Sequence, residues 1–131
     1  MSKINWLKEL GWDEENLEDL RMAGFAYLRQ GKYDIAIPFF EALTILDKES
    51  AYDIQTLGAL YLETNQAEKA IEYLSKSLAL ESDHAPTLLN MAKALILLGK
   101  KDEALKLAHL LEKETNLSIS NVAKALILAY E

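Results

Sequence analysis

The sequence predicts an all-α solenoid: three helix-turn-helix units in tandem, closed by one further helix. Three observations predict it. Leu17, Ala51 and Ala85 fall in register at a spacing of 34 residues, and the register carries a small residue with it at Gly24, Gly58 and Ala92. Downstream of each, the same spacing brings Ala36, Ala70 and Ala104 into line, so all three copies keep an alanine in the second helix. Gly31, Asn65 and Gly99 then fall where the first helix of each unit should stop, and these residue types tolerate the left-handed conformation that a helix C-cap often needs. The repeated small residues have a steric reason. Where antiparallel helices cross closely, Gly or Ala lets the backbones approach while a large neighbour, here Tyr27, Tyr61 or Leu95, fills the space beside the gap.

The elements follow in order. A short amphipathic helix is predicted near residues 4–10, then helices near 14–30, 33–46, 51–64, 67–80, 85–98, 101–114 and 119–130, with no strand. Ser50 with Asp53 three residues on resembles a capping box, and Asp83 with Pro86 marks the start of the third unit. Pro38 lies inside a predicted helix, where it cannot donate to the carbonyl of Asp34, and a kink is expected there. The last helix, with Ile119, Val122, Ala123, Leu126, Ile127 and Tyr130, is read as a cap over the end of the stack. The chain of 131 residues is expected to be one domain, with units near 17–50, 51–84 and 85–118 and the capping helix at 119–130.

Composition narrows the function. Asp and Glu number 21 against 14 Lys and Arg, a formal charge of −7, which disfavours a phosphate backbone or an anionic membrane surface. The absence of cysteine removes disulfides, thiolate metal sites and thiol nucleophiles. The first residues show no signal-peptide pattern, and the longest apolar run, at residues 94–98, is far short of a bilayer span. A soluble cytoplasmic protein without nucleic-acid partner or membrane insertion is the expectation.

The spaced residues over 17–116 match the tetratricopeptide repeat, whose period is 34 residues. A narrower resemblance runs from Gly31-Lys32-Tyr33 through Ala36 to the stretch Phe40-Glu41-Ala42-Leu43-Thr44-Ile45-Leu46-Asp47, and resumes at Leu57-Gly58-Ala59. That run resembles the class II type III secretion chaperones of Gram-negative bacteria, which guard translocator proteins. Leu43, where an ordinary repeat has alanine, is part of the likeness; the short N-terminal segment and the generic later repeats depart from it.

The resemblance implies a non-catalytic chaperone that binds an extended segment of a secreted client, a translocator or needle component, in a concave groove. Its lining would come from the first helix of each unit: Arg21, Phe25 and Leu28, then Tyr52, Gln55, Ala59 and Leu62, then Leu89, Lys93 and Ile96. Apolar side chains would supply affinity, and Arg21, Gln55 and Lys93 would satisfy the peptide's backbone groups. A carboxylate clamp for an acidic tail fits less well, because its positions hold Arg21, Phe25, Thr56, Pro86 and Asn90, of which only the first and last suit the task. The alternative is a scaffold that joins folded partners through its two faces.

Catalytic and metal chemistry find little support, and no cofactor is expected. His84 and His109 are far apart in sequence and show no ligand spacing. The acids Asp13, Glu14, Glu15, Glu18 and Asp19 complement a helix start rather than build a cation loop. Asn116-Leu117-Ser118 matches a glycosylation acceptor, a chance match in a chain with no export signal. Trp6, Leu7, Leu10 and Trp12 either cap the first unit, the favoured reading, or form a self-association surface that would make a homodimer.

Overall fold

The computed structural model describes residues 5–131, and helices account for its regular structure. They are α1 (Trp6–Leu10), α2 (Glu14–Arg29), α3 (Tyr33–Leu46), α4 (Ala51–Glu63), α5 (Ala67–Leu80), α6 (Ala85–Leu97), α7 (Lys101–Leu111) and α8 (Leu117–Tyr130). The predicted start of the first helix at residue 4 lies outside the described residues. The helices pack in chain order, α2 on α3, α4 on α5 and α6 on α7, and each pair rests on the next through α3–α4, α5–α6 and α7–α8.

The stop signals act through left-handed backbone. Gly31, Asn65 and Gly99 have φ of 74°, 61° and 78°, and the amide after each returns to a carbonyl of the helix just ended: Lys32 to Tyr27, Gln66 to Tyr61 and Lys100 to Leu95. Helix starts are set by side chains. Asp13 and Asn16 form a reciprocal capping box at α2, Ser50 accepts from the amide of Asp53, and Asn116, the residue of the glycosylation match, caps α8 by accepting from Ser118. One expectation is corrected. The box at Ser50 is only half formed, since the Asp53 carboxylate is drawn elsewhere; at α6 the N-cap is His84, a helix-start residue beside Asp83. His84 Nδ1 meets the buried Thr87 hydroxyl at 2.7 Å. α3 runs on through the exposed Pro38.

The small-to-large packing that the repeat implies appears at atomic scale. A Cβ placed on Gly58 would lie 2.8 Å from Leu74 Cγ and 3.2 Å from the Leu74 backbone nitrogen, so a methyl there would push α4 and α5 apart. On Gly24 it would lie 2.8 Å from Phe39 Cβ and 3.0 Å from the Phe40 ring. Ala36, Ala70 and Ala104 are each without solvent exposure. One core cluster runs through the first two pairs into α6, built on Leu17, Phe40, Leu43, Leu57, Leu74 and Leu95. A second, of Leu89, Ala108, Leu111, Ile119, Ala123 and Ile127, joins α6, α7 and α8. The buried Tyr61 stacks beside Tyr73 at 5.5 Å and donates its hydroxyl to Glu41 at 2.9 Å; burial, helped by that carboxylate, raises its pKa and keeps the proton in place.

Candidate functional site

The two faces of the stack differ in how closely their helices approach. On one side α4 touches α6 and α6 touches α8; on the other, α3, α5 and α7 make no contact with one another. A stack in which α4, α6 and α8 crowd while the second helices splay is curved, with those three on its inner face and α2 in the corresponding place of the first repeat. α8 therefore continues that face as well as closing the end of the stack.

At the other end the inner helices stand further apart. α2 and α4 do not come together at the backbone, and Arg21 spans the gap. Its Nε and one terminal nitrogen each lie 2.7 Å from an oxygen of Asp53, a bidentate pair with a carboxylate that is fully buried. Glu18 takes another nitrogen at 2.8 Å, and Asp47 stands at 3.5 Å. The bond to Asp53, more than any other partner, holds the guanidinium pKa above its ordinary value. Arg21 thus clasps two repeats together, and four of its five N–H groups face the protein's own carboxylates. Its main role is that clasp, which leaves one N–H for the peptide backbone groups expected of it.

The other predicted lining residues separate into three groups. Phe25 and Tyr52 are exposed, 36% and 44%, with the Arg29 guanidinium 5.9 Å from the centre of the Phe25 ring. Gln55, Ala59, Leu62, Lys93 and Ile96 are half-buried, with the Gln55 amide 3.4 Å from the Thr56 hydroxyl. Leu28 is half-buried against the first core cluster, whereas Leu89 is only 8% exposed and belongs to the second cluster, packed among residues of α7 and α8. Leu89 is core, a second correction. Its position suits a groove only if no helix follows α6, and α8 follows.

The structure brings Leu62, Lys93 and Ile96 together around a depression of about 320 Å³, and adds Leu126 and Tyr130 of α8 with Glu63, Asn65 and Leu97. The α8 contributors were missed because that helix was read as a cap; carrying the 34-residue period one step further puts Tyr130 in register with Leu62 and Ile96, whereas Leu126 falls at the small-residue position of Gly58 and Ala92 and gives no such signal. Met22, 61% exposed and one turn before Phe25, was missed as well. Its helical spacing from Phe25 was the available signal.

Of the segment proposed for self-association, Leu7 packs on the first core cluster and Trp12 is half-buried, while Trp6 and Leu10 are 42% and 52% exposed. α1 leans on α3, with a crevice between Trp6 and Leu7 and the stretch from Ile45 to Glu49. His109 is exposed, its Nε2 2.9 Å from Glu131 and its Nδ1 3.4 Å from Glu112. Those two carboxylates, Glu131 foremost, raise its pKa. Among the described residues no helix is long and apolar enough to cross a membrane.

Fold and groove together define a tetratricopeptide-type helical solenoid. The family model for anaphase-promoting complex, cyclosome, subunit 3 matches residues 29–112, and the chain belongs to that family of helical-repeat proteins. No curated protein matches it. Among solved structures, the Yersinia enterocolitica type III secretion translocator chaperone SycD is similar at a TM-score of 0.79 and 23% identity, covering 98% of each chain. PcrH, a protein of Pseudomonas aeruginosa, in complex with the chaperone binding region of PopD is similar at a TM-score of 0.77 and 26% identity, covering 92% of this chain and 94% of that one. The first repeat domain of Spaghetti bound to an HSP90 peptide is similar at a TM-score of 0.77 and 23% identity, covering 89% of this chain and 94% of that one.

Proposed function

We propose that the chain is a non-catalytic chaperone that holds an extended apolar segment of a client protein along the face formed by α2, α4, α6 and α8. The observation that carries this reading is the uncovered apolar lining: Met22, Phe25 and Tyr52 exposed at one end, and the Leu62–Ile96–Leu126 depression at the other. Single exposed apolar residues are ordinary on any surface; a row of them along one concave face marks a binding site. The likeness to PcrH with its PopD segment, and to SycD with a peptide of the translocator YopD, supports a type III secretion client, a translocator or needle component, held in the cytoplasm before export.

Co-expression tests the reading. The chain should co-purify with one aggregation-prone client and raise its soluble yield, and replacing Phe25 and Tyr52 together by Glu should weaken that complex by about tenfold to a hundredfold while helical content stays unchanged. Unaltered binding by the double variant would remove the groove from consideration. Partners that are each soluble without the chain would favour the scaffold reading instead.

The exposed Trp6 and Leu10 suit a contact between two copies, with Leu7 retained as internal packing and Trp12 half-buried. A chain lacking residues 1–12 should run as a monomer in light scattering where the full chain runs as a dimer. Equal masses for the two would discard that contact.

A further inference from the structure

We infer that the depression between α4, α6 and α8 selects a client side chain by its neighbour's charge: it takes an apolar residue that lies next to an Asp or Glu. The inference rests on the groove reading above and adds a chemical preference to it. The depression is lined by the apolar side chains Leu62, Ile96 and Leu126 together with two residues that carry hydrogen-bond donors, Lys93 and Tyr130. Among the described residues Lys93 makes no ion pair and Tyr130 makes no side-chain hydrogen bond, although every carboxylate near Arg21 is engaged. Glu63 lines the same depression from an exposed position and does not pair with Lys93.

An occupant decides what happens to those donors. Lys93 is half-buried, so water reaches it while the groove is empty. An apolar side chain seated on Leu62, Ile96 and Leu126 displaces that water and leaves the ammonium poorly solvated unless the occupant brings an acceptor. A carboxylate on the adjacent client residue supplies one in a charge-assisted bond, with the Tyr130 hydroxyl as a second donor. A lysine at that place meets a like charge in a site of reduced dielectric. The depression therefore discriminates by repulsion as well as by attraction. An internal carboxylate is the committed source, since an extended segment lying along the whole face continues past this end.

Acetylated and amidated peptides, with leucines spaced along an otherwise alanine and serine chain and one Asp, Asn or Lys placed beside each leucine in turn, test this by fluorescence anisotropy. The blocked ends remove any contribution from a chain-terminal carboxylate. At one leucine the Asp peptide should bind about tenfold more tightly than its Asn counterpart, with Lys weaker than both. Lys93→Met, which keeps the apolar stem, should erase the Asp preference, and Lys93→Glu should turn it toward Lys, with helical content unchanged in both. Equal affinity for Asp, Asn and Lys peptides in the unmodified chain would overturn the inference and leave the groove reading standing. An Asp preference that survives Lys93→Met would also overturn it. Failure of every peptide to bind would overturn both.

Discussion

Arg21→Met lowers the unfolding free energy by about 3–5 kcal/mol, read from the midpoint of urea denaturation followed by helical circular dichroism. The magnitude follows from what is left behind. The Asp53 carboxylate has no solvent exposure, and both of its oxygens rest on the guanidinium at 2.7 Å. With the arginine gone, an ionised group remains in the interior without its cation and must take up a proton or draw in water. The pair itself is a different quantity from the loss of one partner. Attraction and desolvation largely cancel for a buried ion pair, so Arg21→Met combined with Asp53→Leu should regain most of the lost stability. A single variant that loses less than about 1 kcal/mol would show that the bond contributes no more than an exposed ion pair.

Phe40→Ala costs about 3–5 kcal/mol, by lost burial and by the cavity left beneath Gly24. Phe40 has no solvent exposure and is the largest of the fully buried side chains. Its ring already sits 3.0 Å from where a Gly24 side chain would begin, so the neighbouring backbone has no methyl with which to fill the gap. The loss should also be local. In a stack where each unit contacts only its neighbours, a defect in α2–α3 weakens that end first. Hydrogen exchange should show protection lost in α2 and α3 while the second cluster around α6, α7 and α8 keeps its own. Equal loss throughout would mean that the stack unfolds as one unit.

Much of the fold was legible because the repeat states the same information three times. The turn residues Gly31, Asn65 and Gly99 fixed the helix ends through their backbone preference, and α3 and α5 begin and end where the pattern put them. The groove was legible only in part. Helical spacing gives the face on which a side chain starts, and Phe25 and Tyr52 are exposed as that spacing predicts. It does not give where a long side chain ends. Arg21 begins on the inner face and finishes on Asp53, which a periodic pattern assigns no role beyond a helix start. Leu89 was misread for a complementary reason: its exposure depends on whether another helix covers it, and α8 was assigned to the end of the stack rather than to its inner face. Both errors concern contacts between units, where identical local patterns meet different neighbours.

The packing of Gly58 against Leu74 makes the three units less alike than their shared spacing suggests. The corresponding positions of the third unit hold Ala92 and Ala108, so a methyl group stands where the second unit has none, and a small residue stands where the second has leucine. Each first helix is matched in volume to its own second helix. A chimera joining α6 to α5 would set the Ala92 methyl against Leu74, at the distance of 2.8 Å that a Cβ on Gly58 would have. Whole units could be duplicated or exchanged during descent without such a clash, whereas recombination breakpoints between the two helices of a pair would be selected against.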